Sequence, residues 1–181
     1  MDNAYLNEII DYIENDEELL GYLSSECGFD IEDHDQLTDD LGFLMEFAES
    51  NYKLEPFACD GSGGIYALLD NGSVGYIDSE GQAGIMANDI RSFFSILIHC
   101  GCPEDFGKFG WLDSQSEFIE QYRNCEDAYI KAFSEKFGLE DDPREIYQIF
   151  RKAVLTQPRL TITATSDEYG DYQQIFDIGQ E

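Results

Sequence analysis

The sequence predicts a single α+β domain, in which amphipathic helices pack on a twisted antiparallel sheet of about four to six strands. Three observations support this fold class. Apolar residues recur at helical spacing through the first fifty residues, short apolar runs broken by glycine follow from Leu54, and helical spacing returns after residue 110. No repeat or low-complexity linker divides the 181 residues. We therefore treat residues 1–52, 54–100 and 111–181 as three parts of one domain spanning residues 1–181.

The first part, residues 1–52, is predicted to be helical and acidic. Its apolar pattern indicates three amphipathic helices. Thr38 is the predicted N-cap of the third helix, because Asp39 and Asp40 would then lie in the first turn, where the helix dipole favours acids. The three helices are built on Leu6, Ile9, Ile10 and Ile13, on Leu19, Leu20 and Leu23, and on Leu41, Leu44, Met45 and Ala48.

The second part, residues 54–100, has the pattern of a strand meander followed by a helix. Four short apolar runs separated by glycine predict about four antiparallel strands. Asp70-Asn71-Gly72 predicts a tight hairpin, since Asn and Gly tolerate the positive φ of a primed turn. A nearly all-apolar helix from Ile90 to Ile98, capped by Asn88 or Asp89, is expected to be buried against the sheet.

The third part, residues 111–181, is predicted to contain two helical segments and a final hairpin. One long amphipathic segment carries apolar residues from Phe118 to Phe137 and ends at Gly138 as a C′ glycine. A second helix opens at Pro143 and stops before Pro158. Alternation around residues 160–164 and 172–176 then predicts a C-terminal hairpin.

The charge of the chain limits its partners. The net charge is −29, from 39 Asp and Glu against 10 Lys and Arg, and residues 1–52 contain no Lys or Arg. Nucleic-acid binding depends on basic side chains that neutralise phosphates, so no direct nucleic-acid ligand is expected. Acidic runs usually form a solvated surface. The alternative is an anionic surface that steers a basic protein partner to the chain.

The cysteines and the amino terminus predict a cytoplasmic protein. Five cysteines without CxxC spacing indicate reduced thiols rather than a disulfide framework or a zinc ribbon. The first residues lack the basic and apolar regions of a signal peptide. No apolar run approaches the length that spans a bilayer, so no membrane partner is expected.

The glycine cluster in residues 59–64, CDGSGG, suggests either a phosphate loop or a sheet corner. Neither dinucleotide-binding nor P-loop spacing is present, and a strand pattern rather than a helix follows. Ser62 also lacks the frame of a nucleophile elbow. The segment is therefore predicted to be a tight corner, in which glycine removes steric limits.

Other candidate chemistry is weak, and we predict no catalytic residue, no metal site and no cofactor. His99 lies near Cys100 and Cys102, but the spacing matches no zinc pattern. The acidic residues 30–35 lack the glycine and glutamate positions of an EF-hand. Carboxylate pairs for acid–base chemistry cannot be picked out among 39 acids.

Residues 56–69, PFACDGSGGIYALL, and residues 74–87, VGYIDSEGQAGIMA, followed by an apolar helix, resemble the SUKH superfamily. This family is best known for immunity proteins of bacterial polymorphic toxin systems. The resemblance covers about a quarter of the chain and implies an α+β domain that binds a protein rather than catalysing a reaction. The matching positions are Asp60, Gly61, Gly63, Gly64, Tyr66, Glu80, Gly81, Ala83 and Gly84.

The resemblance implies that most of these residues are structural. Turns are expected at Gly61, Gly63, Gly64, Gly72, Gly81 and Gly84. The expected contacts to a basic protein partner, a toxin domain and commonly a nuclease, are Asp60, Tyr66, Asp70, Asp78 and Glu80.

Two alternatives stay open at this point. One is a regulatory or scaffold protein of the same fold. The other is a metal-dependent hydrolase that uses Asp60 and Glu80.

Overall fold

The computed structural model describes residues 3–103, 105, 110–176 and 178, and it confirms the predicted α+β class. A five-stranded sheet and a two-stranded sheet are combined with helices. The helices are α1 Asn3–Glu14, α2 Glu17–Cys27, α3 His34–Leu44, α4 Ile90–Cys100, α5 Gln115–Gln121, α6 Ala128–Phe137 and α7 Pro143–Val154. The strands are β1 Ala48–Ser50, β2 Leu54–Cys59, β3 Ile65–Leu69, β4 Val74–Ile77, β5 Gln82–Ala87, β6 Ile162–Ala164 and β7 Gln173–Gln174.

The larger sheet contains the predicted meander. Its strand order is β2-β3-β4-β5-β7, with antiparallel pairing from β2 to β5. The predicted hairpin joins β3 to β4, where Gly72 has φ +89° and the Asn71 side chain accepts a hydrogen bond from Ser73 N at 2.9 Å. The sheet is not purely antiparallel as predicted, because β7 pairs with β5 in parallel.

The two faces of the larger sheet belong to different apolar clusters. Side chains alternate along β3, so Tyr66 and Leu68 lie in one cluster while Ile65, Ala67 and Leu69 lie in the other. The large-core face, which carries Tyr66 and Leu68, packs against helices that include α1, α2, α4 and α6. The small-core face, which carries Ile65, Ala67 and Leu69, packs against α3 and the β1–β6 pair.

Several predicted helix ends are confirmed by their caps. The Asp89 side chain accepts a hydrogen bond from Ser92 N at the start of α4. Gly138 ends α6 with φ +60°, in the left-handed region that glycine tolerates. Pro143 lies in the first turn of α7, after the N-cap Asp142.

The predicted start of the third helix is wrong. The helix begins at His34, where the Asp33 side chain accepts a hydrogen bond from Asp35 N. Thr38 lies inside α3, and its hydroxyl donates to the carbonyl of His34. The earlier start brings Leu37 as well as Leu41 into the small-core cluster.

Two predictions for the third part of the chain are also wrong. The long segment is broken between α5 and α6, where Arg123 N donates to the carbonyl of His99 at 2.9 Å and so ties an extended stretch to the end of α4. The C-terminal strands do not form a hairpin with each other. Instead β6 pairs with β1, and β7 pairs with β5 in the larger sheet.

The described helices are at most 12 residues long, whereas a helix needs about 20 residues to span a bilayer. None of those within residues 3–103, 105, 110–176 and 178 combines the length and the apolar character needed to cross one.

Candidate partner-binding face

The Asp60 corner joins β2 to β3 and is held together by the Asp60 carboxylate. Its Oδ1 accepts hydrogen bonds from Ser62 N, Gly64 N and the Ser62 hydroxyl, each at 2.8 Å. The Tyr76 hydroxyl donates to Oδ2. The carboxylate is thus a buried structural acceptor, and the predicted tight corner is confirmed.

Gly64 is required in this corner by close packing. A Cβ at that position would lie 2.5 Å from Asp60 Oδ2 and 2.6 Å from the Tyr76 hydroxyl oxygen. Gly63 and Gly81 have φ values of +91° and +89°, as expected for turns. Gly61 also lies in the corner, but its φ is not in the positive range that favours glycine.

Gly84 does not lie in a turn, and that prediction is wrong. It lies within β5, where a Cβ would come 2.8 Å from Cδ2 of Phe176. The residue therefore allows the C-terminal segment to approach the sheet closely.

The predicted contact residues divide by burial. Tyr66 is fully buried, and its hydroxyl donates to the carbonyl of Gly28 at 2.8 Å. Asp78 is buried and accepts hydrogen bonds from Glu80 N and Gln82 N. Asp60 accepts backbone hydrogen bonds in the preceding turn in the same way. These contacts stabilise the sheet and its turns. Little or no surface of Asp60, Tyr66 and Asp78 is therefore accessible to a partner.

Asp70 and Glu80 are exposed at the turns that follow β3 and β4. Each side chain is open to solvent on a loop of the rigid sheet, the position in which binding residues concentrate. Contact of these two acids with a partner stays a prediction.

Cys59, next to the Asp60 corner, is a free and buried cysteine. Burial, together with the neighbouring acids Glu32 and Asp30, raises the pKa of the Cys59 thiol to about 12. The thiol is therefore protonated near neutral pH. Within the part of the chain that the structure describes, no three His, Cys, Asp or Glu side chains are grouped so that they could hold a metal ion.

Helix α3 is the most exposed element on the small-core face. Only Leu37 and Leu41 of its residues are buried. Three clefts flank the helix, with volumes of about 440, 310 and 310 Å³. One of them lies between Asp40 and Phe43 of α3 and the Asp60 corner. The helix therefore stands out as a ridge with concave surfaces beside it.

Exposed aromatic rings lie along this ridge. Phe43 is 78% exposed. Phe47, just after α3, is 41% exposed and stacks on Tyr169, with ring centroids 4.8 Å apart and an interplanar angle of 5°. Such rings remain costly to hydrate until a partner covers them.

Exposed acids lie along the same helix as Phe43 and beside Phe47 in the chain. We call these rings and acids together the acidic α3 surface. All but one of its residues come from residues 1–52, which contain no Lys or Arg. Aromatic groups with a charged rim are typical of protein-binding sites. The surface consists of Asp33, Asp35, Asp39, Phe43, Glu46, Phe47 and Tyr169.

The sequence interpretation missed the aromatic residues of this surface. A signal for Phe43 was present, because it lies about 200° around the helix from Leu41 and therefore off the apolar stripe. Tyr169 had no local signal. It lies far from Phe47 in the chain and reaches it through the loop after β6.

Comparisons of the chain with protein-family models, with curated proteins and with solved structures find no match. The SUKH assignment is therefore still a resemblance of residues 56–69 and 74–87. In the structure these two segments form most of β2 and β3, then β4 and β5, with their turns.

Proposed function

We propose that this chain is a non-catalytic immunity protein of the SUKH type, which binds a cognate toxin domain and occludes it. The observation that carries the proposal is the acidic α3 surface, where Phe43 is 78% exposed among carboxylates. An immunity protein of this kind acts in the cytoplasm.

The charge of this surface indicates the kind of toxin. A nuclease needs Lys and Arg to hold phosphates, so its substrate-binding surface is basic. An anionic ridge complements such a surface, and electrostatic steering raises association rates by about 10- to 1000-fold at low salt. The net charge of −29 would favour the same encounter.

The exposed rings supply the short-range part of the interaction. A ring that enters a pocket of the partner removes apolar area from water, and aromatic residues are common among the side chains that dominate binding energy. Phe43 extends from a helix rather than a flexible loop, so little backbone entropy is lost on binding.

The test measures binding to toxin domains encoded beside the gene, by calorimetry and stopped-flow association at low and high salt. We expect Phe43→Ala to weaken binding by about 30-fold, the loss typical of a central aromatic contact. The matched control is Leu155→Ala, which also removes a half-exposed apolar side chain but on the residue after α7. It should leave the affinity unchanged.

The charge is tested separately from the ring. Asp39→Asn should slow association at low salt and have little effect at high salt, whereas Glu120→Asn on α5 should change neither. The immunity proposal is overturned if no neighbouring toxin forms a salt-sensitive complex. Binding to a non-toxin protein through the same surface would instead support the regulatory role.

A further inference from the structure

The outer edge of β1 is a second candidate binding site, and it is formed by backbone groups. Phe47 O accepts a hydrogen bond from Thr165 N at 2.8 Å, and Asn51 N donates at 3.1 Å to the residue before β6. The odd-numbered residues of this strand therefore point their backbone groups toward β6. Because this direction alternates along an antiparallel pair, the N–H and C=O groups of Ala48 and Ser50 point away from β6.

Three of these four outward groups have no partner in the described part of the chain. Ala48 N donates to the oxygen of Met45, the residue after α3, at 3.2 Å. No described group outside the β1–β6 pair is hydrogen-bonded to the Ala48 oxygen or to the backbone N–H and oxygen of Ser50. An unpaired strand edge of this kind is a template for one further strand.

The cleft of about 440 Å³ beside α3 borders this edge. Ala48 and Ser50 are half-buried and line the cleft together with residues of α3, so the edge faces an open groove rather than another strand. Leu41, Met45 and Leu54 add apolar side chains to the groove. Free backbone groups beside an apolar pocket are the two components of recognition by strand addition.

The charge at the edge selects the strand that can be added. Glu49 lies between Ala48 and Ser50 and is exposed, with its side chain on the opposite face of β1. A second copy of this chain, paired antiparallel through its own β1, would place Glu49 opposite Glu49, and like charges directly opposite each other are destabilising. A Lys or Arg at that position would instead form a cross-strand ion pair.

We propose that the β1 edge accepts an extended segment of a basic partner protein as an additional antiparallel strand. In this segment apolar residues alternate with Lys or Arg. The apolar side chains enter the groove beside α3, a basic side chain lies opposite Glu49, and the Ser50 N–H and oxygen bond the backbone of the segment. The identity of the partner as the toxin domain rests on the proposed function, whereas strand addition itself does not.

The direct test uses the full chain alone and the peptide acetyl-KVKVK-amide, with binding followed by NMR. The peptide should move the amide signal of Ser50 downfield and saturably, because this N–H gains an acceptor. The Glu49 amide, which points to β6, should move little.

N-methylated peptides test whether the backbone of the ligand is bound. Methylation of both valine nitrogens removes the N–H groups that face β1 and should weaken binding by at least about tenfold. Methylation of the central lysine nitrogen, which faces away, should change the affinity by less than about twofold. Both peptides keep the charge and the side chains of the original.

Variants of the chain test the groove and the charge. Gly42 of α3 lines the groove, and a Cβ there would have no atom within 4 Å, so Gly42→Leu should fold and obstruct the groove. We expect it to weaken the peptide by at least about tenfold. The matched control is Gly21→Leu, at an exposed glycine of α2 with equally open surroundings, and it should have no effect. Glu49→Gln should weaken binding by about threefold.

Four results would each overturn strand addition. These are the absence of a saturable shift at Ser50, equal binding of the two N-methylated peptides, unchanged affinity in Gly42→Leu, and a dimer in light scattering that Gly42→Leu dissociates. The last result would mean that a second copy of the chain occupies the edge.

Adding a toxin domain encoded beside the gene separates this proposal from the proposed function. If the toxin supplies the strand, it displaces the peptide, and Gly42→Leu weakens the complex by about tenfold. A toxin that binds and leaves the peptide in place supports immunity and overturns the claim that its segment occupies β1. Peptide binding without any toxin complex supports strand addition and overturns immunity.

Discussion

The two faces of the larger sheet are built from the same strands and differ in what covers them. On the large-core face, Phe93 is fully buried and contacts the rings of Phe29, Tyr66 and Phe94. On the small-core face, α3 buries Leu37 and Leu41, and Phe43 on the other side of the helix is 78% exposed.

If the proposed function holds, this difference separates stability from recognition. The interlocked rings are buried and offer a partner little apolar surface. By contrast, α3 has only two fully buried side chains, with Leu44 partly buried beside them, and exposes most of its circumference. The alternation of side chains along β3 allows one strand to serve both faces. We therefore expect changes on the large-core face to affect folding and changes on α3 to affect binding.

The largest effect should come from Phe93→Ala. The change leaves a cavity within the ring cluster and should lower the free energy of unfolding by about 4 kcal/mol. Urea denaturation followed by circular dichroism measures it, and Phe93→Leu serves if the alanine variant does not fold. A loss below about 1 kcal/mol would contradict the assignment of stability to this face.

Leu41→Ala should have a smaller and more local effect, of about 2 kcal/mol, because the side chain lies at the margin of the small core. Hydrogen exchange should show faster opening of α3 with little change in α4. If both helices opened by the same factor, the two faces would form one cooperative unit and the comparison would fail.

Gly64→Ala tests the corner that both faces share. The added Cβ would meet the Asp60 carboxylate and the Tyr76 hydroxyl, and we expect a loss of about 2 kcal/mol. Gly61→Ala is the matched control, since the nearest atom to its Cβ is 4.0 Å away. Thermal unfolding of the two variants should therefore differ clearly. Equal stability would indicate that the corner adjusts without cost.

The smallest effect should be a pH dependence from His99. Desolvation lowers its pKa from 6.5, against weaker opposing contributions from the Arg123 carbonyl, Asp141 and Glu140. The unfolded chain then binds the proton more readily, so this contribution to stability is present above about pH 6.5 and is lost as the pH falls below it.

The His99 prediction is tested by measuring the free energy of unfolding in urea at pH values between about 8 and 5, a range that spans the ordinary histidine pKa. His99→Phe should flatten the part of the profile near pH 6, and His34→Asn, at an exposed position, should not. An unchanged profile in His99→Phe would contradict it.

Local sequence signals predicted the elements whose cause is local. The hairpin at Gly72, the Asp89 cap and the Gly138 helix end each depend on the φ tolerance or the side-chain oxygen of one residue. The start of α3 was mispredicted because Asp33 and Thr38 are both suitable caps. The choice between them follows from the burial of Leu37 on the small core, a contact outside the helix.

The candidate site was less predictable than the fold. Acidic residues around α3 are visible in the composition, but the burial of Asp78 could not be inferred from its position in a turn. Stacking of Phe47 on Tyr169 joins segments far apart in the chain. The direction of the β1 edge depends on the pairing of β1 with β6, which is also distant in the chain.

By itself the sequence determined the α+β class, the strand meander, the Asp60 corner and the anionic first part, because periodicity, glycine and charge act over a few residues. Only the tertiary structure decided which strands the C-terminal segments join and which aromatic rings stay exposed. Those outcomes depend on contacts between residues distant in sequence. Bringing such residues together costs chain entropy, which is offset only when the whole core has assembled.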